Sequence, residues 1–191
     1  MSRRLQTRDY TSPGLYFVTI CANFKYCIFG SVIDGNVQLT PLGQIARQTW
    51  LEIPSHFGSA SLHAFVVMPN HLHGIIEIGA KGLAQHAAPV QGKLPAATPQ
   101  DASLSVIVRS FKAEVTKRGR LELNCKGEIW QRNYFDRVIR DGREFSNASR
   151  YIAENPSKWE WDRENLEVKA MADRDRRAQH AVPLQRNRQV E

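Results

Sequence analysis

The sequence is short of cysteine and has no long apolar run. It has three cysteines, Cys21, Cys27 and Cys125, and they match no zinc-binding spacing. An odd number of scattered cysteines is typical of a protein in a reducing compartment. No early apolar stretch resembles a signal peptide, and none approaches the length of a transmembrane helix. These absences exclude a cysteine-ligated zinc centre and predict a cytoplasmic protein with no membrane partner.

Acidic residues are scarce relative to basic ones. The chain of 191 residues has 26 Lys and Arg against 19 Asp and Glu, which gives a formal net charge of +7. A surplus of this size suggests a polyanionic partner, and nucleic acid is the commonest. The apolar share of 42% and the charged share of 24% are typical of a globular protein, and the length favours one domain.

Apolar periodicity predicts a mixture of strands and helices. Residues 15–22 are β-branched and aromatic on both faces, which favours a central strand covered on two sides. Asp34-Gly35 marks a hairpin. Spacing and capping residues predict three helices: one from Pro41 behind Thr40 that Pro54 ends, one over 104–118, and one over 142–155 between Asp141 and Pro156.

Two segments lack this periodicity. Residues 79–103 are rich in Ala, Gly, Pro and Gln, which predicts a flexible surface insertion. Residues 162–191 are charged and free of aromatics, which predicts a basic, disordered C-terminal tail. The predicted domain is therefore residues 1–161.

The most informative stretch is residues 66–78. It reads as two apolar strands joined by a turn at Pro69 and Asn70, where Asn70 would tolerate unusual backbone angles. Because side chains on a strand alternate between faces, His71 and His73 point to the same side. Two imidazoles on one strand form half of a site for a divalent cation. An isolated His-x-His pair, however, is more often part of a sheet surface.

The last predicted helix supplies the other half of such a site. Tyr151 and Asn155 are four residues apart, so a phenol and an amide carbonyl are neighbours on one helix. If they lie above His71 and His73, the two histidines and the Asn155 carbonyl would hold a cation. Tyr151 would then attack phosphorus.

Three residues near these motifs have open roles. Tyr134 is the rival nucleophile, because neighbouring arginines would favour its phenolate. His63 could face the site from the adjacent strand, although a structural histidine is the commoner interpretation. Glu77 shares the face of His71 and His73, where it either orients one of them or is a solvated strand-end residue.

Three blocks of the sequence occur in a characteristic order: His71-Leu72-His73, Trp130-Gln131-Arg132 with Val138-Ile139-Arg140, and Tyr151-Ile152 with Asn155-Pro156. In this order the chain resembles the REP-associated tyrosine transposases, relatives of the single-tyrosine HUH transposases of small insertion sequences. The resemblance covers residues 15–161 apart from the insertion. It implies an α+β fold with an HUH endonuclease core, in which helices pack on a ferredoxin-like antiparallel sheet.

The same resemblance implies a reaction and assigns residues to it. It implies cleavage of single-stranded DNA and strand transfer through a 5′-phosphotyrosine, with Mg²⁺ or Mn²⁺, at palindromic hairpins of repetitive extragenic elements. Carried onto this chain, the metal ligands are His71, His73 and Asn155, and the nucleophile is Tyr151. Many mobile-element relatives carry Gln at the position of Asn155.

Basic residues outside these motifs are candidates for DNA contacts. They lie in the N-terminal arm, in the helix over 104–118, and in residues 130–140, where interleaved aromatic and basic residues can stack bases and hold phosphates. An ordinary solvated surface is the alternative. The predicted contacts are Arg3, Arg4, Arg109, Lys112, Arg132 and Arg137.

Other functions stay open at this point. A rolling-circle initiator uses the same site chemistry, but no helicase or primase domain follows here. A non-catalytic protein that binds DNA hairpins could have the same fold. A hydrolase of small phosphate esters would explain the histidines but neither Tyr151 nor the positive charge. We expect a monomer, with a dimer whose tyrosine helix serves a second subunit as the alternative.

Overall fold

The computed structural model describes residues 13–79, 103–162 and 164–165. The arm with Arg3 and Arg4, nearly all of the predicted insertion, and the predicted tail beyond residue 165 lie outside the described residues. In chain order the strands and helices are β1 (Gly14–Cys21), β2 (Gly30–Ile33), β3 (Asn36–Leu39), α1 (Pro41–Leu51), α2 (Ile53–His56), β4 (Ala60–Val67), β5 (His71–Ile78), α3 (Leu104–Leu123), β6 (Phe135–Ile139) and α4 (Gly142–Glu154), with short 3-10 helices at Asn23–Lys25 and Pro156–Trp161. None of the described helices has both the length and the apolar character that a membrane span needs.

Four strands form one antiparallel sheet in the order β4-β5-β1-β6, and β2 and β3 form a separate hairpin. The elements β1, α1, β4, β5, α3 and β6 follow one another as βαββαβ, which is the ferredoxin-like arrangement. The predicted α+β fold, with helices packed on an antiparallel sheet, is therefore confirmed.

The central strand β1 is covered on both faces. Tyr16, Val18 and Ile20 are fully buried in the large core that the sheet forms with α1 and α3. The opposite face packs on α4 through a smaller cluster that includes Ile75 and Ile152. The two-sided burial predicted for residues 15–22 is confirmed, and α4 is placed over the face that carries His71 and His73.

The predicted helix starts are confirmed, but two predicted ends are wrong. Thr40 and Asp141 each accept a hydrogen bond from the backbone N–H three residues on, as capping residues do. Helix α1 ends at Leu51, and Pro54 lies instead in the first turn of α2, where its missing N–H is not needed. Helix α3 continues past its predicted end to Leu123.

Gly74 of β5 occupies a position with no room for a side chain. A Cβ there would lie 2.3 Å from Cζ2 of the fully buried Trp50 ring. Gly74→Ala should therefore destabilise the protein by about 1–3 kcal/mol, as overpacked core substitutions do. Gly58→Ala is the matched control, because a Cβ at Gly58 meets nothing within 4 Å. Urea unfolding measures both, and equal midpoints would contradict this packing.

Candidate active site

The start of β5 places two imidazoles side by side. The hairpin turn is closed by a 2.8 Å hydrogen bond from Met68 N to His71 O. The ring centroids of His71 and His73 are 4.4 Å apart, and the two residues are 0% and 4% exposed. The predicted hairpin and shared face are confirmed. The histidines do not belong to a solvated sheet surface.

Asn70 fixes the orientation and tautomer of His71. Its Nδ2 donates to the carbonyl oxygens of Lys25 and Glu164 at 3.1 and 2.7 Å, which orients the amide because a carbonyl can only accept. Asn70 Oδ1 therefore accepts from His71 Nδ1 at 2.8 Å, and His71 Nε2 carries the lone pair that a metal ion needs. Asn70 has no positive φ, so the unusual backbone angles expected at this residue are absent.

Strand β1 supplies the corresponding contact for His73. Thr19 lies opposite His73 in the strand register, and its Oγ1 is 2.8 Å from His73 Nδ1. That contact leaves His73 Nε2 as the nitrogen available to a metal ion. The sequence predicts neither Thr19 nor the hydrogen bonds of Asn70, and the pairing register of β1 with β5 is the signal that would have identified Thr19.

Burial keeps both histidines neutral. The loss of hydration lowers the pKa of His71 to about 3, and the Lys25 ammonium adds to this effect. Burial likewise lowers the pKa of His73 to about 3, with a further contribution from His71, while the carboxylates of Asp162 and Glu164 act in the opposite direction. Neutral imidazole is the form that binds a metal ion.

A carboxylate from beyond α4 completes the cluster. Asp162 is buried, and its Oδ2 lies 4.0 Å from His71 Nε2. His71, His73 and Asp162 each offer one ligand atom, and these three atoms all lie within 4.8 Å of one another. A neutral His71 makes no ion pair, and 4.0 Å is too long for a hydrogen bond. Within the described part of the chain, His71 Nε2 has no hydrogen-bond partner. Converging donors of this kind fit a divalent cation.

The sequence misses Asp162, because it assigns residue 162 to the tail. The 3-10 helix Pro156–Trp161 carries the chain back to β5, and the N–H of Glu164 then donates to Asp162 Oδ1 at 2.6 Å. Asp162 and Glu164 therefore line the cavity beside His73, and Asn165 is buried. The available signal is weak: a single acidic residue directly after an aromatic segment.

Asn155, the predicted third ligand, is also buried in this region. It follows α4, is 3% exposed, and its Oδ1 has no hydrogen-bond partner among residues 13–79, 103–162 and 164–165. It lines the same cavity as His73, Tyr151 and Asp162. A buried amide oxygen without a partner is chemically suited to a hard cation. Asp162 and Asn155 are thus two buried oxygen-bearing side chains in the cavity lining, of which the sequence predicts one.

Tyr151, the predicted nucleophile, is half-exposed at the site. Helix α4 is held to the sheet by Ala148 and Ile152, which leaves Tyr151 on the cavity side and 47% exposed. Its Oη lies 3.4 Å from His73 Nε2 of the same chain, and its ring packs edge-on against Phe17. The predicted tyrosine and the histidine pair therefore meet within one chain.

Two other nucleophilic side chains reach the same cavity. Tyr134 is 9% exposed and belongs to the main core beside Trp130. Cys21 donates its thiol hydrogen to Glu164 at 3.5 Å, and burial raises the pKa of the thiol to about 12, so it stays protonated. Tyr151 is therefore better placed than either of them to attack a substrate in solution.

His63 and Glu77 form a pair of their own. His63 Nε2 lies 2.9 Å from Glu77 Oε2, and the His63 ring packs edge-on against Phe145. Since the Nδ1 atoms of both site histidines have other partners, Glu77 orients neither of them. His63 is a structural histidine, as the commoner of the two interpretations predicts.

The described residues predicted to contact DNA lie in different surroundings. Arg137 is exposed on β6 and lines the cavity, and Arg132 is exposed in the preceding loop. Arg109 is exposed on α3, outside the cavity lining. Lys112 Nζ donates at 2.8, 3.4 and 3.1 Å to the backbone carbonyls of Gln131, Arg132 and Asn133. These bonds use the three donors that a phosphate contact would need.

No family model matches the chain. It is 40% identical over 163 residues to an uncharacterized protein of Haemophilus influenzae, a match that covers 84% of this chain and 90% of that protein. The structure of the present chain is similar to that of a REP-associated tyrosine transposase bound to a REP hairpin. The TM-score is 0.56 and the sequence identity 21%, with 85% of this chain and 76% of the other covered. The chain therefore belongs to the family of the Haemophilus influenzae protein and has the fold of the REP-associated tyrosine transposase, as the order of its motifs predicts.

Proposed function

We propose that this protein is a metal-dependent endonuclease and strand transferase that acts on single-stranded DNA beside palindromic hairpins, with Tyr151 as its nucleophile. The observation that carries the proposal is the 3.4 Å contact of Tyr151 Oη with His73 Nε2, next to a buried cluster of side chains that could hold a metal ion. A nucleophile beside such a cluster is suited to attack on phosphorus. The fold shared with a REP-associated tyrosine transposase supports the same chemistry.

The cluster fits a divalent cation, Mg²⁺ or Mn²⁺. His71 and His73 would hold it through Nε2, and Asp162 Oδ2 and Asn155 Oδ1 would supply oxygen donors. When bound, the ion would offset charge on the scissile phosphate and favour an ionised phenol.

Tyr151 performs the covalent step. Its phenolic oxygen forms a bond to phosphorus while the bond from phosphorus to the 3′ oxygen breaks; the phenolic proton is released, and the leaving oxygen takes up a proton. The products are a tyrosine ester of the 5′ phosphate and a free 3′ hydroxyl. Because the ester keeps the energy of the phosphodiester, a 3′ hydroxyl can later displace Tyr151 and rejoin the strand without a nucleotide cofactor.

A hairpin oligonucleotide with a single-stranded flank, labelled at its 3′ end, tests this proposal. With Mn²⁺ the label should become covalently attached to the protein on a denaturing gel, and EDTA should prevent the attachment. Adduct formation that persists in EDTA would rule out the metal site. A mobility shift without any adduct would support a non-catalytic hairpin-binding protein instead.

DNA binding should weaken steeply as salt is raised, because basic residues displace counterions from the phosphates. Removing one basic side chain that binds a phosphate should make the slope of log K against log salt shallower by about 0.7 to 0.9. We propose Arg137 as a contact in the cavity, Arg132 as a contact in the loop before β6, and Arg109 as a contact on α3 outside the cavity. Arg132→Ala and Arg137→Ala should each reduce the slope by about this amount, and a flat plot for the unsubstituted protein would make the charge incidental.

A further inference from the structure

The cavity beside Tyr151 is larger than a metal ion and one phosphate need. Its volume is about 1000 Å³, at the upper end of the range for ligand pockets. The proposed function uses only the part around His73, Tyr151 and Asp162. The rest of the lining comes from β1, β6, α4 and the loop at 131–134, so it is continuous with the site.

Besides Tyr151, two large aromatic side chains are exposed in this lining. Trp161, at the end of the last 3-10 helix, is 81% exposed, and Phe135, at the start of β6, is 67% exposed. Large aromatic side chains are usually well buried in folded proteins, so two of them in one cavity indicate a binding surface. Rings of this kind are the surfaces on which unpaired bases stack.

Amide side chains lie in the same cavity. Gln131 and Asn133 precede β6, and Asn147 lies on α4. Asn147 Oδ1 accepts from Arg150 Nη2 at 2.9 Å, which orients the amide. An amide offers both donors and an acceptor, the groups that recognise the hydrogen-bonding edge of an unpaired base.

Among the described residues, two of the three carboxylates that line the cavity are paired with lysines, and the third, Asp162, is one of the proposed metal ligands. Glu154 is paired with Lys158 at 2.6 Å, and Glu164 is paired with Lys25 at 2.7 Å. Arg137 adds an exposed positive charge. A nucleic acid strand, which combines phosphates with stacking bases, therefore fits this lining better than a neutral apolar ligand does.

Lys112 holds the loop that carries two of the amides. Its ammonium donates to three successive backbone carbonyls of residues 131–133. This stretch belongs to no helix or strand, and the three bonds, together with the bond from Gln131 N to Cys21 O, hold it in place. Lys112 therefore acts on the cavity as a positioning residue.

We propose that this cavity binds unpaired nucleotides next to the scissile phosphate, with Trp161 and Phe135 as stacking surfaces and residues 131–133 as the segment that reads bases. This rests on the proposed function, since a strand cut by Tyr151 must have its flanking bases held nearby. The single-stranded flank then helps to determine which phosphate is cut.

Equilibrium binding in EDTA, without cleavage, tests the stacking surfaces. The same hairpin is compared with and without an unpaired flank. Trp161→Ala and Phe135→Ala should each weaken binding of the flanked hairpin by about five- to a hundredfold, the effect of one stacked base, and leave the bare hairpin unchanged. Phe24→Ala is the matched control, because Phe24 is 69% exposed but does not line the cavity. Unchanged affinity of both cavity variants for the flanked hairpin would overturn the proposal.

Base reading and stacking each have a second measurement. With flanks that differ in one base, the unsubstituted protein should show a preference that Asn133→Ala and Lys112→Met both reduce. Equal affinity of the unsubstituted protein for all flanks would overturn base reading.

The flanked hairpin should also quench the tryptophan fluorescence of the protein more than the bare hairpin does, and Trp161→Phe should remove that difference. Equal quenching of the unsubstituted protein by the two hairpins would count against stacking on Trp161.

Failure of this proposal can be distinguished from failure of the proposed function. If the unsubstituted protein forms the covalent adduct while the cavity variants bind the flank normally, the cavity proposal alone is overturned. If flank binding depends on Trp161 but no adduct forms, the nuclease proposal alone is overturned.

Discussion

Tyr151→Phe should reduce formation of the covalent DNA adduct by on the order of a thousandfold or more, because it removes the nucleophilic oxygen and with it the whole covalent step. Hairpin binding and thermal stability should stay close to those of the unsubstituted protein, since Tyr151 is half-exposed and its ring would still pack against Phe17. Adduct yield on a denaturing gel with Mn²⁺, together with a binding isotherm, measures both quantities.

Tyr134→Phe is the matched control for that experiment. It removes the same atom from the other tyrosine that lines the cavity, but from a residue that is almost completely buried. We expect the adduct to persist in Tyr134→Phe. The reverse pattern, with an adduct in Tyr151→Phe and none in Tyr134→Phe, would transfer the nucleophilic role to Tyr134.

The second large effect concerns the metal ion itself. His71→Ala and Asp162→Ala should each weaken Mn²⁺ binding, measured by calorimetry without DNA. The reduction in affinity should exceed the roughly ten- to a hundredfold that follows from removing only a hydrogen-bond partner of a ligand. We expect a smaller reduction for Asn155→Ala, because an amide oxygen carries no full charge, and Asn155→Gln should keep part of the affinity.

Thr19→Val provides the comparison for the metal series. It removes the hydroxyl beside His73 Nδ1 but no proposed ligand, so its cost should fall within the ten- to hundredfold range. Circular dichroism of each variant checks that the fold is kept. Mn²⁺ affinity unchanged by both His71→Ala and Asp162→Ala would contradict the assignment of the metal site.

The parts of the site that the sequence predicts are those set by local geometry. Strand alternation places His71 and His73 on one face, and helix α4 brings Tyr151 to that face. Such periodicities need only the neighbouring residues in the chain. The resemblance between motifs adds the expectation that these two elements meet, and the 3.4 Å contact between Tyr151 Oη and His73 Nε2 agrees with it.

The parts that the sequence does not predict depend on where distant segments pack. Asp162 enters the site because the chain turns back after α4, and no local pattern in the sequence gives that direction. Lys112 looks like one cation on a basic helix, yet a loop about twenty residues further along brings three carbonyls to its ammonium. The sequence points to Asn70 because of the backbone angles expected there, but Asn70 has no positive φ. The contribution of Asn70 to the site is its side chain, which orients the His71 ring.

Peptide mapping of the DNA-linked protein tests the central claim most directly. The unsubstituted protein is incubated with the flanked hairpin and Mn²⁺, denatured and digested with protease, and the peptide that carries the nucleotide is identified by mass spectrometry. We predict that the DNA is attached through its 5′ phosphate to Tyr151, and that EDTA prevents the attachment. Attachment at Tyr134 or any other residue, or the absence of a covalent product with hairpin DNA that is bound and supplied with Mn²⁺, would contradict the account.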